Sequence, residues 1–137
     1  MSSPLPTPAP TPTAETAQFW AATGEGRLLL ARCRACGHVI WYPRAVCPDC
    51  HSFDTEWAEA SGRGTVYSFT VSRRGEGPWR EVAPYVLAYV ELDEGPRLLT
   101  NIVDCDVDTL RIGQPVEVAF ADTGEGNALV RFRPAQP

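Results

Sequence analysis

Cys33-Arg-Ala-Cys36-Gly-His38 and Cys47-Pro-Asp-Cys50-His51 decide how this chain is read. Each stretch carries two thiols three positions apart on a short turn, so both sulfurs can reach a single point. Two such turns supply the four soft ligands of a tetrahedral thiophilic ion. Gly37 after the first pair and Pro48 inside the second suit tight turns. Only ten residues lie between the pairs, fewer than the roughly 15–20 of many zinc ribbons. Four thiolates fill the tetrahedron and leave no position for water, which makes the site structural, since a catalytic zinc keeps one exchangeable ligand. The expectation is a rubredoxin-like ribbon folded by zinc on Cys33, Cys36, Cys47 and Cys50; iron would use the same sulfurs, and the sequence does not separate the two. A nucleobase deaminase is excluded, because His38 is followed by Val39-Ile40 where that chemistry needs His-x-Glu. His38 and His51 are expected beside the site or in solvent, because the thiolates already complete it.

Outward from the ribbon the chain divides into four segments. Residues 1–14 alternate Pro with small residues and are expected to form a disordered, solvated leader of polyproline type. Residues 15–26 are expected to form a short helix, with Thr13 as cap, Glu15 in the first turn and Gly24 and Gly26 at its end. Such a helix is stable only if Phe19 and Trp20 dock, on this protein's own core or on a partner. Residues 27–60 hold the ribbon and 61–137 a barrel. In that last segment Thr65, Tyr67, Phe69 and Val71 alternate with Val66, Ser68, Thr70 and Ser72, and Pro84 to Leu92 is apolar on both faces. Arg97 to Val103 follows, and Val116, Val118 and Phe120, then Ala128, Val130 and Phe132, alternate again. Five strands with a helix or turn at Asp106–Gly113 fit a small OB-type barrel, with an SH3-like barrel as rival. The fold class is therefore mainly β.

The 137 residues carry twelve basic and seventeen acidic side chains, net −5, and every basic residue is Arg. A Schiff-base or P-loop lysine is thereby excluded. No Ser/His/Asp set, phosphate-binding loop or carboxylate pair emerges, and Cys105, between Asp104 and Asp106, is a poor nucleophile because like charge opposes its thiolate. No apolar run approaches the roughly 20 residues of a membrane span. Without the basic start and apolar block of a secretory signal, the expected location is the reducing cytoplasm. Residues 27–50 balance to +3 while 51–137 balance to −6. Arg32, Arg34 and Arg44 either neutralise the metal cluster, which carries about −2, or grip a phosphate. The acidic barrel argues against the basic groove that a single-stranded nucleic acid requires, which leaves a ribbon-plus-OB nucleic-acid module as the weaker alternative.

The ribbon, the entry Ser61-Gly-Arg-Gly-Thr-Val-Tyr-Ser-Phe-Thr70, the strand Pro84-Tyr-Val-Leu-Ala-Tyr-Val-Glu-Leu-Asp-Glu-Gly95 and Arg111-Ile-Gly-Gln-Pro-Val-Glu-Val118 together resemble the Zn-ribbon OB-fold acyl-CoA-associated family, domain of unknown function thirty-five. The resemblance spans roughly residues 17–133 and leaves the leader and Cys105 outside it. It implies a non-catalytic accessory subunit of a thiolase-superfamily enzyme, a thiolase or a thiolase-like aldolase of the kind used in sterol side-chain degradation, in a heterotetramer or larger assembly. It further implies that the module braces its partner and helps enclose an acyl-CoA, with Arg32, Arg34 or Arg44 contacting coenzyme A phosphate and Phe19, Trp20 or Trp41 packing on the partner.

Overall fold

The computed structural model describes residues 4–136. Helix α1 (Ala17–Gly24) precedes eight strands: β1 (Leu29–Cys33), β2 (Val39–Ile40), β3 (Thr55–Glu59), β4 (Arg63–Ser72), β5 (Tyr85–Leu92), β6 (Arg97–Ile102), β7 (Pro115–Asp122) and β8 (Ala128–Pro134). Strands β2-β1-β3 make one antiparallel sheet, and β4-β5-β6-β8-β7 close into a barrel. Every neighbouring barrel pair is antiparallel except β6 and β8, which meet in parallel at Ile102 and Phe132. Parallel closure between the third and fifth barrel strands is the Greek-key order of the OB fold, and it settles the barrel type. The Asp106–Gly113 link is a run of turns, and its Leu110 is buried in the core.

The core is built by alternation. Val66 of β4, Val86, Ala88, Val90 and Leu92 of β5, Leu98 and Ile102 of β6, Val116 of β7 and Phe132 of β8 all face inward and are buried. Phe19, Leu28 and Leu30 join the same cluster, so helix, ribbon and barrel share one apolar core. A smaller cluster of Ala31, Cys33, Ile40 and Cys47 lies under the ribbon tip.

Two departures from simple alternation shape the surface. Val66 pairs with Val90 and Ser68 with Tyr89, leaving Tyr67 unpaired in a β-bulge. The extra residue shifts the phase of β4. Tyr67 therefore points outward at 47% exposure while Phe69 and Val71 beyond it pack on the core, whereas unbroken alternation would put all three on one face. The outward face of β5 is apolar as well, with Leu87 at 41% and Tyr89 at 47% exposure, and Leu99 of β6, opposite Tyr89, at 58%.

The N-terminal segment also departs from expectation. The helix starts at Ala17, because the Thr16 hydroxyl turns back to accept from the Thr13 backbone N–H (2.9 Å) and makes no forward cap; the Glu15 carboxylate accepts from the Ala45 N–H (2.6 Å). The described part of the leader, residues 4–14, has no regular secondary structure, yet it lies on the barrel. The Arg131 guanidinium donates to the carbonyl oxygens of Leu5 and Pro6, which gives these residues the anchor that their own composition lacks. Helix α1 is fixed to β8 by the Ala128 N–H donating to the Thr23 hydroxyl (3.0 Å). At the end of the helix, Gly24 lies so close to the Gly126 carbonyl that a Cβ would have no room. Among the described residues no helix is long and apolar enough to cross a membrane.

Candidate metal centre

The two cysteine turns are built alike. In the first, the Gly37 N–H donates to the Cys33 carbonyl (2.8 Å) and the Cys33 N–H to the His38 carbonyl (2.9 Å). In the second, the His51 N–H donates to the Cys47 carbonyl (2.9 Å) and the Cys47 N–H to the Ser52 carbonyl (2.9 Å). Both turns close on a left-handed residue, Gly37 at φ 79° and His51 at φ 67°. His51 is thus the positional equivalent of Gly37, a backbone role that the spacing of the cysteines does not signal.

This geometry gathers the four sulfurs. Cys33 Sγ lies 3.5 Å from Cys50 Sγ and Cys36 Sγ lies 3.7 Å from Cys47 Sγ, and all four are within 4.8 Å of one another. A tetrahedral ion with metal–sulfur bonds of about 2.3 Å has sulfur–sulfur edges of about 3.8 Å, so the donor set fits zinc in size and chemistry. Cys33 and Cys47 are buried while Cys36 and Cys50 are exposed, which puts the cluster at the ribbon surface with its inner edge on Ile40 and Ala31.

The thiols perturb one another. The backbone N–H of Cys36 faces the Cys33 sulfur and, with that of Ala35 and the Cys50 thiol, overcomes burial to bring Cys33 down to about 7. Cys36 receives the His38 N–H, but burial and crowding by Cys50, Cys33 and Cys47 outweigh it and push the thiol up to about 12. Cys50 receives the Ser52 N–H and is nevertheless raised, chiefly by Cys33. Sulfurs this close cannot all ionise alone, and a divalent cation between them removes that conflict.

The other sequence-predicted residues have distinct places. Arg34 is engaged by Glu56 (2.9 Å) and Asp54 (3.5 Å), which raise its pKa. Arg32 and Arg44 are exposed, and neither forms an ion pair among the described residues. Phe19 is 1% exposed and sits between the rings of Trp20, Trp41 and Tyr42, at 4.9, 5.5 and 5.9 Å, so it serves this chain's own core and is closed to a partner. Trp20 and Trp41 are half-buried, and Trp20 Nε1 donates to the Tyr42 hydroxyl (2.9 Å). With Trp79 and Leu99 they line an open groove of about 410 Å³. Leu99 joins that groove to Leu87, Tyr89 and Tyr67 on the barrel, forming one exposed apolar surface. Sequence reading found both ends of this surface, the tryptophans and a strand apolar on both faces, and could not join them because the β6 residue Leu99 is the link. Cys105 is outside the sulfur cluster, and burial, with Asp106 and Asp104, pushes its thiol up.

Comparison with known proteins gives a consistent outcome. Residues 20–56 match the model described as the ChsH2 rubredoxin-like zinc ribbon domain, and 57–121 the model of the ChsH2 C-terminal OB-fold domain. The chain is 40% identical, over 95% of its length, to a probable enoyl-CoA hydratase alpha subunit of Thermomonospora curvata, of which it spans only 40%. It is 36% identical over 81% of its length to a DUF35 domain-containing scaffold protein of Methanothermobacter thermautotrophicus, covering 85% of that protein. It is also 34% identical over 65% of its length to the benzoylsuccinyl-CoA thiolase subunit BbsA of Geobacter metallireducens, covering 58% of it. Among solved structures, a chain of the Ltp2-ChsH2(DUF35) aldolase superposes with a TM-score of 0.83 at 39% identity, covering 93% of this chain and all of that one.

Proposed function

From the premise that this chain belongs to the DUF35 family of zinc-ribbon and OB-fold proteins, we propose that it is a non-catalytic accessory subunit that docks on a thiolase-superfamily enzyme, a thiolase or a thiolase-like aldolase acting on acyl-CoA. The observation that carries this reading is the apolar surface of Tyr67, Leu87, Tyr89 and Leu99 continuing into the Trp20, Trp41 and Trp79 groove. Contiguous aromatic and aliphatic side chains exposed on a small chain mark a contact face. The relatives support the class of partner, one being a thiolase subunit and the solved one part of an aldolase.

In this assignment Cys33, Cys36, Cys47 and Cys50 hold a structural zinc, whose chemistry is to fix the ribbon and with it Trp41 beside the groove. Residues 27–60 act as the ribbon and 61–137 as the barrel, and the complex is a heterotetramer or larger assembly in the reducing cytoplasm. Arg32 and Arg44 are the ribbon cations left to meet a coenzyme A phosphate, since Arg34 is held by Glu56 and Asp54. A nucleic-acid role is disfavoured by the same face: beside Tyr67 and Tyr89 it offers Arg97, already paired with Glu91 at 2.9 Å and stacked on Tyr67 at 3.9 Å, and otherwise uncharged side chains such as Ser68, Leu87, Leu99 and Asn101.

The test is co-expression with a thiolase-superfamily protein from the same genome. The pair should co-purify, and Leu99→Glu, which puts a charge on an exposed site without touching the core, should abolish co-purification while leaving the circular dichroism unchanged. Separate elution of the wild-type pair overturns the proposal.

A further inference from the structure

A second groove lies on the barrel, and it shares Arg131 with the groove of Trp20, Trp41 and Trp79. Arg131 of β8 is 5% exposed, yet it forms no ion pair among the described residues. Its guanidinium donates only to two neutral acceptors, the Leu5 carbonyl (3.5 Å) and the Pro6 carbonyl. A buried cation satisfied by carbonyl oxygens alone is an incomplete arrangement, because a guanidinium fork is matched best by an oxyanion. Burial lowers the Arg131 pKa, which is the signature of a charge lacking a counter-ion.

Arg131 opens onto a groove of about 510 Å³, a volume in the range of roughly 300–1,000 Å³ typical of small-ligand sites. Its lining is mixed, and Val86, Ile102, Val107, Val118 and Phe120 supply the apolar part. The other charged groups there are Asp104 and Arg133, and Arg133 is paired with Glu117 at 3.1 Å. Leu5 itself lines the groove. One leader residue therefore sets a carbonyl oxygen on the guanidinium and lines the groove beside it, which is the outline of a carboxylate carrying a hydrocarbon tail.

We propose that this groove is a binding site for a small amphiphile with a carboxylate head on Arg131 and an apolar tail along Val86, Ile102 and Phe120, and that Leu5 and Pro6 are its built-in competitor. The leader's alternating prolines lack N–H groups at every second position. The segment is thus short of donors to fasten it elsewhere and is suited to leave when a better acceptor arrives.

Titration of decanoate into the full-length, zinc-loaded protein by calorimetry tests this. Binding should be saturable, and deletion of residues 1–6, which removes both competing carbonyls, should tighten it by about tenfold, the factor by which a site about nine-tenths occupied is masked. Arg131→Met should weaken it by about 10–100-fold, the loss expected for hydrogen bonds to a charged group. Decanol should bind about as weakly to the wild type as decanoate does to Arg131→Met, and inorganic phosphate, a head without a tail, should not displace decanoate. Ala119→Leu, which narrows the groove and keeps the guanidinium, should also weaken binding, so the test survives if Arg131→Met does not fold. Decanoate binding that is absent in every variant, unaltered by both Arg131→Met and Ala119→Leu, or matched by decanol overturns the proposal.

Discussion

Removal of the metal should unfold one part of this protein and leave the other standing. The ribbon tip has little else to hold it: its own buried cluster is Ala31, Cys33, Ile40 and Cys47, of which Ile40 is the one large side chain, with the half-buried Trp57 of β3 packed against it. Full burial of such a side chain contributes about 1.5–3 kcal/mol, whereas binding of a structural zinc contributes about 10–16 kcal/mol in small zinc modules. Whole domains are stable by only about 5–15 kcal/mol, so the segment between Cys33 and Asp54 cannot stay ordered without the ion. The barrel has a separate source of stability in the nine inward residues of its five strands. Leu28, just before β1, Leu30 of β1 and the helical Phe19 belong to that larger core, so the unfolding should stop near Ala31. Hydrogen exchange read by mass spectrometry, before and after chelation at neutral pH, checks this. Amides of residues 33–54 should lose protection while those of 86–102 and 116–132 keep it. Retained protection at the cysteine turns, or its simultaneous loss throughout the barrel, would refute the reasoning.

Other perturbations have equally definite outcomes. His51→Gly relieves a side chain held at φ 67° and should stabilise the zinc-loaded ribbon by about 1 kcal/mol, the low end of the left-handed penalty, seen as slower zinc transfer to a competing chelator. Gly24→Ala forces a Cβ onto the Gly126 carbonyl and should destabilise by about 1–3 kcal/mol, measured by urea denaturation; Gly26→Ala, with open space around its Cβ but φ at 75°, should cost less. Cys105, raised by burial and by Asp106 and Asp104, holds less thiolate than a free thiol at any given pH. With zinc protecting the other four cysteines, alkylation should be slow at pH 8 and still rising at pH 9, and a rate that levels off below pH 8.5 would contradict the raised pKa.

What could be seen in the sequence follows from the range of the interactions involved. The metal ribbon was legible because its ligands are local, two Cys-x-x-Cys turns whose chemistry is carried by four side chains. The barrel strands were legible from period-two alternation, and five strands with the insert at Asp106–Gly113 pointed to the OB type, but the contact that decides it against the SH3 type was not legible. That choice rests on Ile102 meeting Phe132 in parallel, a contact between positions thirty apart. The phase shift at Tyr67 was hidden because a bulge is a property of pairing with β5 and leaves no mark in β4 alone. The leader shows the same limit. Its composition correctly has no core of its own, and its place on the barrel comes from Arg131 binding its backbone carbonyls, which every residue type possesses. The strand-like β5 stretch, apolar on both faces, was visible as a pattern; that its outer face stays exposed required the barrel to be closed first.

The proposed accessory role is that this chain assists an acyl-CoA enzyme without performing the reaction. It is tested most directly by titrating the chain into a fixed amount of its thiolase-superfamily partner and following acyl-CoA turnover. The prediction is no turnover by this chain alone, a saturable rise in the partner's activity on adding it, and no rise with Leu99→Glu. A partner that is fully active alone and indifferent to the addition, or turnover by this chain in isolation, would contradict it.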